Sequence, residues 1–472
     1  MPNLIFKTKD AHAVMNTLVH EITGQNDISV VDTSSFISAG SKVLEAGYDS
    51  IFESLAVLIG KTIIASRKYD GKFKLIAEDS NAYDYRVRKI SYYARDNIAV
   101  GFENTDVYTN LAAGLDDDDG VGSQYEQFPA LCTERYFYSD FAWSKATTEY
   151  IEQIKKAFQN ETDFINFVNG MMIEVQNDIE STLEAKNRAV VLDRIAGVYL
   201  QARTGAIGPE CLVNLTKTFN EKFGTNYTTS EILSEHTVEF LQHYIAMFRI
   251  ISDKMTNRSI LYHDTMEKTI STDHYHVLRH TPKDLQKFIY YSPLFTELNL
   301  NLANVFHDDM LKLENGEGIQ YWQSISNPSA IDIKPALPDG ETSSEVRIPL
   351  VVGLLFDRDA LMVSNRFNGA YVTPLNARKL YQTLYWHYRY SVANDYSENS
   401  VLFIMEDEYT DTFEGDGTEV TFTLTNTAKM ILGVTVNGVA VDSDDYTFSA
   451  TNGTITFDNA PADDAAIVVN YV

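Results

Sequence analysis

The chain has 472 residues, 44% of them hydrophobic, with 66 acidic side chains against 38 basic ones and a formal charge of −28. That length calls for roughly two to four structural units. That apolar content excludes a disordered chain, and that charge disfavours wrapping nucleic acid, because coating DNA means neutralising phosphates with Lys and Arg. Two cysteines, Cys132 and Cys211, cannot build a disulfide framework or a cysteine-based zinc site, and synthesis in a reducing cytoplasm is expected. The start, MPNLIFKTKDAHAVMNTLVHE, shows no basic-then-apolar signal pattern. The longest apolar run, Ile348–Phe356 with Pro349 inside it, is far short of the ~20 residues that span a bilayer. A soluble protein is expected. The 28 Tyr and 25 Phe serve mainly as core filling, with the remainder available to interfaces.

Helical spacing is present near Ala11–Ile22 and Ser41–Ile59. Two strand-like runs in KTIIASRKYDGKFKLIA flank Asp70-Gly71, a dipeptide suited to a type I′ hairpin turn. Residues 84–147 are unusual. A strand-like run, Arg86–Ala94, leads into a polar excursion whose tip is LDDDDGVGS (Leu115–Ser123), and a second extended run returns through Leu131–Trp143. Neither run holds enough apolar residues for a core of its own. A two-stranded arm is marginal alone in water, so this arm is expected to need another surface, which an assembly would supply.

Glu161–Leu200 reads as one long helix. Phe164, Val168, Met171, Val175, Ile179, Leu183 and Val190 recur at three- and four-residue steps, with a slip near Lys186-Asn187 and an N-cap at Thr162 or Asp163. Thr228-x-x-Glu231 is a capping box opening a second helix with Val238, Leu241, Ile245 and Phe248 on its apolar stripe. Short strands and loops follow. RIPLVVGLLFDRDALMVS predicts two strands around Asp357-Arg358-Asp359, a helix or turn falls near Pro374–Gln382, and Trp386–Asn394 and Ser400–Asp407 read as paired strands. From Glu408 to Val472 the composition changes to eleven acidic residues and one Lys. VTFTLT, LGVTVNGVAV, YTFSATNGTITF and AIVVNYV, with turns at Asn437-Gly438 and Asn452-Gly453, predict a small β-sandwich.

Residues 353–404, GLLFDRDALMVSNRFNGAYVTPLNARKLYQTLYWHYRYSVANDYSENSVLFI, resemble the C-terminal part of major head proteins of tailed phages, particularly short-tailed ones. The resemblance lies in an Asp-Arg-Asp turn between apolar strands, an Asn-Ala-Arg segment, a Tyr/Trp-rich strand and an Asn before the last apolar strand. The extended arm followed by a long helix resembles that family too. The family implies an α+β fold of the Hong Kong 97 type. Mapped here, it implies an N-terminal arm and hairpin at 1–83, an E-loop at 84–147, a P-domain with a spine helix at 148–204, an A-domain at 205–384 and returning P-domain strands at 385–407. Residues 408–472 resemble small Ig-like β domains appended to phage structural proteins. With no long charged helical segment ahead of the arm, a separate scaffolding protein is expected.

The function implied is a non-enzymatic shell subunit. It would self-assemble as hexamers and pentamers into an icosahedral head around double-stranded DNA, without sequence-specific DNA contacts, cofactor or membrane. Portal, scaffolding and decoration or head-fibre proteins are the further partners implied, with assembly in the bacterial cytoplasm and residence in the virion. An encapsulin-like compartment or a metal-dependent hydrolase are the alternative readings. The candidate subunit-contact residues lie on the arm: Arg86, Arg88, Lys89, Tyr92, Tyr93, Asp117, Asp119, Glu134, Tyr136, Phe137 and Tyr138. Tyr92, Tyr93, Tyr136, Phe137 and Tyr138 are expected to bury one face on a neighbour while the charges set register. Asp117, Asp119, Gly120 and Glu126 fit an EF-hand loop except that Leu115 stands where the first carboxylate belongs, so a solvated tip or an acidic docking patch is favoured over a metal. His263, Asp264, His274, His276 and His280 lack a diagnostic ligand spacing, and structural histidines are favoured.

Overall fold

The computed structural model describes residues 72–78, 87–94, 130–137, 140–150, 161–270, 273–296, 316–337 and 345–472, with residues 16, 19, 30, 35, 38 and 39. Over 161–176 it describes the backbone alone. Asn16 and Val19 are helical, as their spacing predicts; Ser41–Ile59 lies outside the described residues. The chain divides into two compact units, one of Met1–Val87, Phe137–Val191 and Leu361–Asn394, the other of Arg88–Tyr136, Leu192–Ala360 and Asp395–Val472.

The first unit is built on a four-stranded sheet. Strands are numbered in chain order: β1 (Ala77–Glu78), β4 (Asp140–Tyr150), β13 (Leu361–Val372) and β14 (Tyr381–Asn394) lie in the order β1-β13-β14-β4. β14 is antiparallel to both of its neighbours, and β1 is parallel to β13. The first run and the turn of the hairpin expected at Asp70-Gly71 lie outside the described residues; within its second run Lys74–Ile76 tighten into a 3-10 helix, and Ala77–Glu78 join β13. Alternation sorts β14 into two faces. Trp386, Tyr388 and Tyr390 are buried, with Trp143 stacked on Tyr388 at 4.3 Å and Phe141 on Tyr390 at 5.3 Å. The helix α1 (Glu161–Thr204) covers this face, pairing Asp178 with Lys145 and placing the Lys186 ammonium 5.9 Å from the Phe141 ring.

Helix α1 holds 44 residues, starting at Glu161 and ending four residues beyond the expected Leu200. At 1.5 Å per residue it is about 66 Å long. The slip at Lys186-Asn187 is a change of buried face: Ile179 and Leu183 are buried before it, Val191, Ile195, Ala196 and Val198 after it, and Val190 is only half-buried.

The second unit holds a five-stranded sheet of β5 (Leu212–Asn214), β15 (Ser400–Met405), β12 (Leu350–Asp357), β8 (Gln286–Tyr291) and β9 (Gly316–Ile319), in that order. Every residue of β15 is buried, as are seven of eight in β12, which suits central strands covered on both faces. Helices α2 (Leu215–Phe223), α3 (Thr229–Glu235) and α4 (Thr237–Lys254) follow β5. The capping box forms as expected: Thr228 accepts from the Glu231 amide and Glu231 reaches back to the Thr228 amide. The single helix expected there is broken at His236 into α3 and α4. The buried stripe of α4 is Phe240, Leu241, Tyr244, Phe248 and Ile251, with Val238 exposed. Its rings meet the sheet, Tyr244 and Phe248 lying 5.8 and 5.9 Å from Phe403. Two small antiparallel pairs also belong to this unit, β6 (Lys268–Ile270) with β7 (Asp273–Tyr275) and β10 (Ile331–Ile333) with β11 (Val346–Ile348).

Two expectations about strand neighbours are corrected. The strands flanking Asp357-Arg358-Asp359 belong to different sheets, β12 to the five-stranded one and β13 to the four-stranded one. The Trp-rich run and the last apolar run, expected to pair, also separate into β14 and β15 of different sheets. Sequence adjacency suggests a hairpin in both cases. Burial decides otherwise: β15 needs partners on both edges and cover on both faces, and β12 with β5 supplies the edges.

Residues 409–472 fold as two sheets around one core, as expected for a sandwich. β16 (Tyr409–Glu414), β22 (Ala466–Tyr471), β18 (Ile431–Val436) and β19 (Val439–Ala440) form one sheet; β17 (Thr421–Thr423), β21 (Thr454–Phe457) and β20 (Tyr446–Ser449) form the other. Phe422, Val434, Ile455, Phe457, Ile467, Val469 and Tyr471 fill the space between them. Asn437 and Gly438 take φ of 53° and 78°, the two positive values that a two-residue type I′ loop between β18 and β19 requires.

Candidate assembly interface

β2 (Val87–Tyr92) and β3 (Cys132–Phe137) pair as a two-stranded ribbon, the described base of the arm. Period-2 alternation gives it two unlike faces. Lys89, Ser91, Tyr93, Thr133, Arg135 and Phe137 point inward; Arg88, Ile90, Tyr92, Cys132, Glu134 and Tyr136 point to solvent.

The inward face is latched to its own chain. Lys89 Nζ lies 2.8 Å from Asp395 Oδ2 and 2.6 Å from Glu398 Oε1. Arg135 lies 2.6 Å from Asp264 and 3.4 Å from Asp395. Arg279 joins them, 3.1 Å from Glu398 and donating to Ser91 Oγ at 2.5 Å. Asp395 also accepts from the Ser397 amide and hydroxyl at 2.9 and 2.7 Å, and the Ala94 amide donates to His276 O at 3.0 Å. Burial works to raise the Asp395 pKa, but the Lys89 charge and the Ser397 hydrogen bonds outweigh it and hold the carboxyl below the usual range. Glu398 goes the other way: burial pushes it up despite Lys89 and Arg279. Charges out of water are expensive unless paired and hydrogen-bonded, so this network defines one position for the ribbon. The surface that the arm's base needs is thus supplied within the chain.

The outward face has no such cover. Ile90 is 42% exposed, Tyr92 64% and Tyr136 43%. Arg88 pairs with Glu134, which also accepts from Tyr136 Oη at 2.8 Å. The hydrogen bond from Arg88, then that from Tyr136, holds the Glu134 carboxyl below the ordinary glutamate value. This is an aromatic surface carrying a pre-set charge pair.

Of the candidate contact residues, Arg88, Tyr92, Glu134 and Tyr136 lie together on the outward face. Lys89, Tyr93 and Phe137 point inward, and Arg86, Asp117, Asp119 and Tyr138 lie outside the described residues. Tyr92 and Tyr93 cannot share a face, because neighbouring strand residues point opposite ways. The same alternation identifies two outward residues that composition alone passes over, Ile90 and Cys132. Of the candidate histidines, His274 has a side chain outside those described. His263 is buried with Nδ1 2.8 Å from Asp264 O and Nε2 3.0 Å from Ser259 O; burial lowers its pKa while both carbonyls oppose that. Among the described residues no group of three or more His, Cys, Asp or Glu is placed to hold a metal ion, and no helix is long and apolar enough to cross a membrane.

A long helix backing one sheet, a second sheet whose central strands are buried on both faces, and a ribbon with a latched inner face and an aromatic outer face make up a mixed α+β subunit. The family model of the Phi29-like phage major capsid protein matches residues 14–404. The chain belongs to that family and is a structural protein of the phage head. No curated protein sequence matches it. Among solved structures it is similar to the capsid of Staphylococcus phage Andhra, at 12% identity over 71% of this chain and 84% of that one, with a TM-score of 0.43. A structure of the head fibre and inner core protein gp22 of bacteriophage P68 is similar at 10% identity over 71% and 85%, TM-score 0.41. The capsid of Cyanophage P-SCSP1u is similar at 10% identity over 71% and 87%, TM-score 0.37.

Proposed function

We propose that many copies of this chain close into an icosahedral head as hexamers and pentamers, and that the outward face of the β2–β3 ribbon is one of the contacts between copies. The observation that carries this is the division of the ribbon: every described inward charge is paired inside the chain, whereas Ile90, Tyr92 and Tyr136 stay exposed on a ribbon that cannot move freely. A rigid, partly apolar surface loses little conformational entropy on docking. Modest contacts repeated round a closed shell add through multivalency. The subunit works by shape and packing, without catalysis. Its negative charge keeps it from wrapping the packaged DNA, which it encloses without reading. Residues 84–147 correspond to an E-loop, 1–83 to the N-terminal arm, 148–204 and 385–407 to a P-domain, 205–384 to an A-domain, and 408–472 to an Ig-like addition facing outward. Portal, scaffolding and decoration or head-fibre proteins complete the virion, assembled in the host cytoplasm.

The test is the double variant Ile90→Glu/Tyr92→Glu. It replaces outward side chains and leaves the Lys89 and Arg135 ion pairs in place, which deletion of the whole arm would not. The variant is expected to melt like the parent and to give no particles in negative-stain micrographs. Normal particles from the folded variant would remove the ribbon from the set of contacts.

A further inference from the structure

The four-stranded sheet of the first unit has a second face, turned away from α1, that also carries aromatic residues. Register places Tyr371 opposite Tyr385, Gly369 opposite His387, and Phe367 opposite Arg389, all on one side. β4 contributes Ser144 and Ala146 beside His387 and Tyr385. Phe367 is 44% exposed, Tyr371 57% and Tyr385 38%. The rings adjoin: His387 lies 5.8 Å from Tyr371 and 6.2 Å from Tyr385. A Cβ on Gly369 would come within 2.7 Å of Phe367 and 2.9 Å of Tyr371, so both rings lean over that glycine and close one patch above a floor of small residues. With about 150–250 Å² per ring, the exposed parts approach the size of the patches that mark binding sites on soluble proteins.

The patch is also nearly neutral. At its end Asp140 is shared by Arg389 at 2.8 Å and Arg366 at 3.4 Å, which leaves one net positive charge there, and the cross-strand positions around Tyr371 and Tyr385 are aromatic, His, Gly, Ala, Ser or Thr. On a chain with 66 acidic and 38 basic residues, two copies approach with least repulsion where the surface carries no net charge. We propose that this sheet face, centred on Tyr371 and Tyr385, is a contact surface for a second copy of the chain. A contact that is not two-fold symmetric needs two different patches on each subunit, so a face distinct from the ribbon's outer side answers a requirement that one patch leaves unmet. This rests on the reading that copies assemble, and it assigns a second set of residues to that assembly.

Two measurements test it. The first is Tyr371→Glu/Tyr385→Glu, with Tyr385→Phe as the conservative control. The double variant should keep the parent's melting curve and lose sedimenting particles by about tenfold or more, as for removal of central aromatic contacts, while the control assembles. The second places a photo-crosslinking phenylalanine derivative at position 371 of the otherwise unaltered chain, and irradiation of particles should give covalent dimers of this chain. Normal particle yield from the folded double variant overturns the proposal. So do crosslinks only to a different protein, or none at all. If the double variant does not fold, the crosslink decides. If the parent itself forms no particles and no crosslinked dimers, the assembly reading falls with it; if it forms particles without self-crosslinks at 371, this proposal alone falls.

Discussion

At the residue scale, buried polar side chains decide more than the aromatic content does. His243 is buried on α4, its Nε2 3.0 Å from Thr218 Oγ1 and its ring edge-on to Phe219 at 5.9 Å. Burial first, and then the Lys222 charge, depress its pKa from 6.5 to about 4. The folded state therefore binds this proton later than the unfolded chain does as pH falls. Its neutral-state contribution is full above about 6.5 and is lost progressively towards pH 4, because between those values the unfolded state takes up more protons. His243→Gln, which cannot titrate, is expected to flatten the slope of stability against pH in that window in urea melts, and an unchanged slope would assign the acid sensitivity elsewhere. Gly197 makes a different kind of residue-scale point. A glycine within a helix costs about 1 kcal/mol relative to alanine, yet a Cβ there would meet Tyr396 Oη at 1.9 Å. Tyr396 is buried, with the Arg194 guanidinium 4.4 Å from its ring centre, so the glycine makes room for a ring that the helix sequence does not announce.

At the element scale, the ribbon's inward latch is the interaction on which its placement turns. Lys89→Met keeps much of the aliphatic stem and removes the charge facing Asp395 and Glu398. Asp395 keeps Arg135 at 3.4 Å and the Ser397 hydrogen bonds, and Glu398 keeps Arg279 at 3.1 Å, so losing the one shared ammonium costs about 1.5–3 kcal/mol, the range for a hydrogen bond to a charged group. The expected outcome is a lower melting temperature together with faster amide exchange in β2 and β3 than in the five-stranded sheet. Equal exchange in the ribbon would mean that backbone pairing, not the ion pairs, holds it. The capping box and the Asn-Gly turn were legible in advance because each is completed by residues within a few positions. Partners of Lys89 lie some three hundred positions away at Asp395 and Glu398 and leave no local trace.

At the scale of the whole molecule, charge sets the conditions for assembly. Copies at −28 repel one another, and exposed charges are screened beyond a Debye length of about 30 Å at 0.01 M and 8 Å at 0.15 M salt. Assembly followed by light scattering is therefore expected to quicken between those two salt concentrations. Slowing with salt would mean that attraction between opposite charges, rather than apolar contact, brings copies together. Composition, hydrophobic period and turn chemistry by themselves determined the long helix, the start of α3, the terminal two-sheet unit and the family resemblance, since each depends on short-range geometry or on the order of parts. Tertiary structure alone decided that β12 and β13, and β14 and β15, go to separate sheets. It also decided which ribbon residues face inward and which sheet face keeps its tyrosines in water. Burial is a property of the packed chain: the same run of aromatic residues becomes core on one side of a strand and surface on the other, and only the elements that cover one side make the distinction.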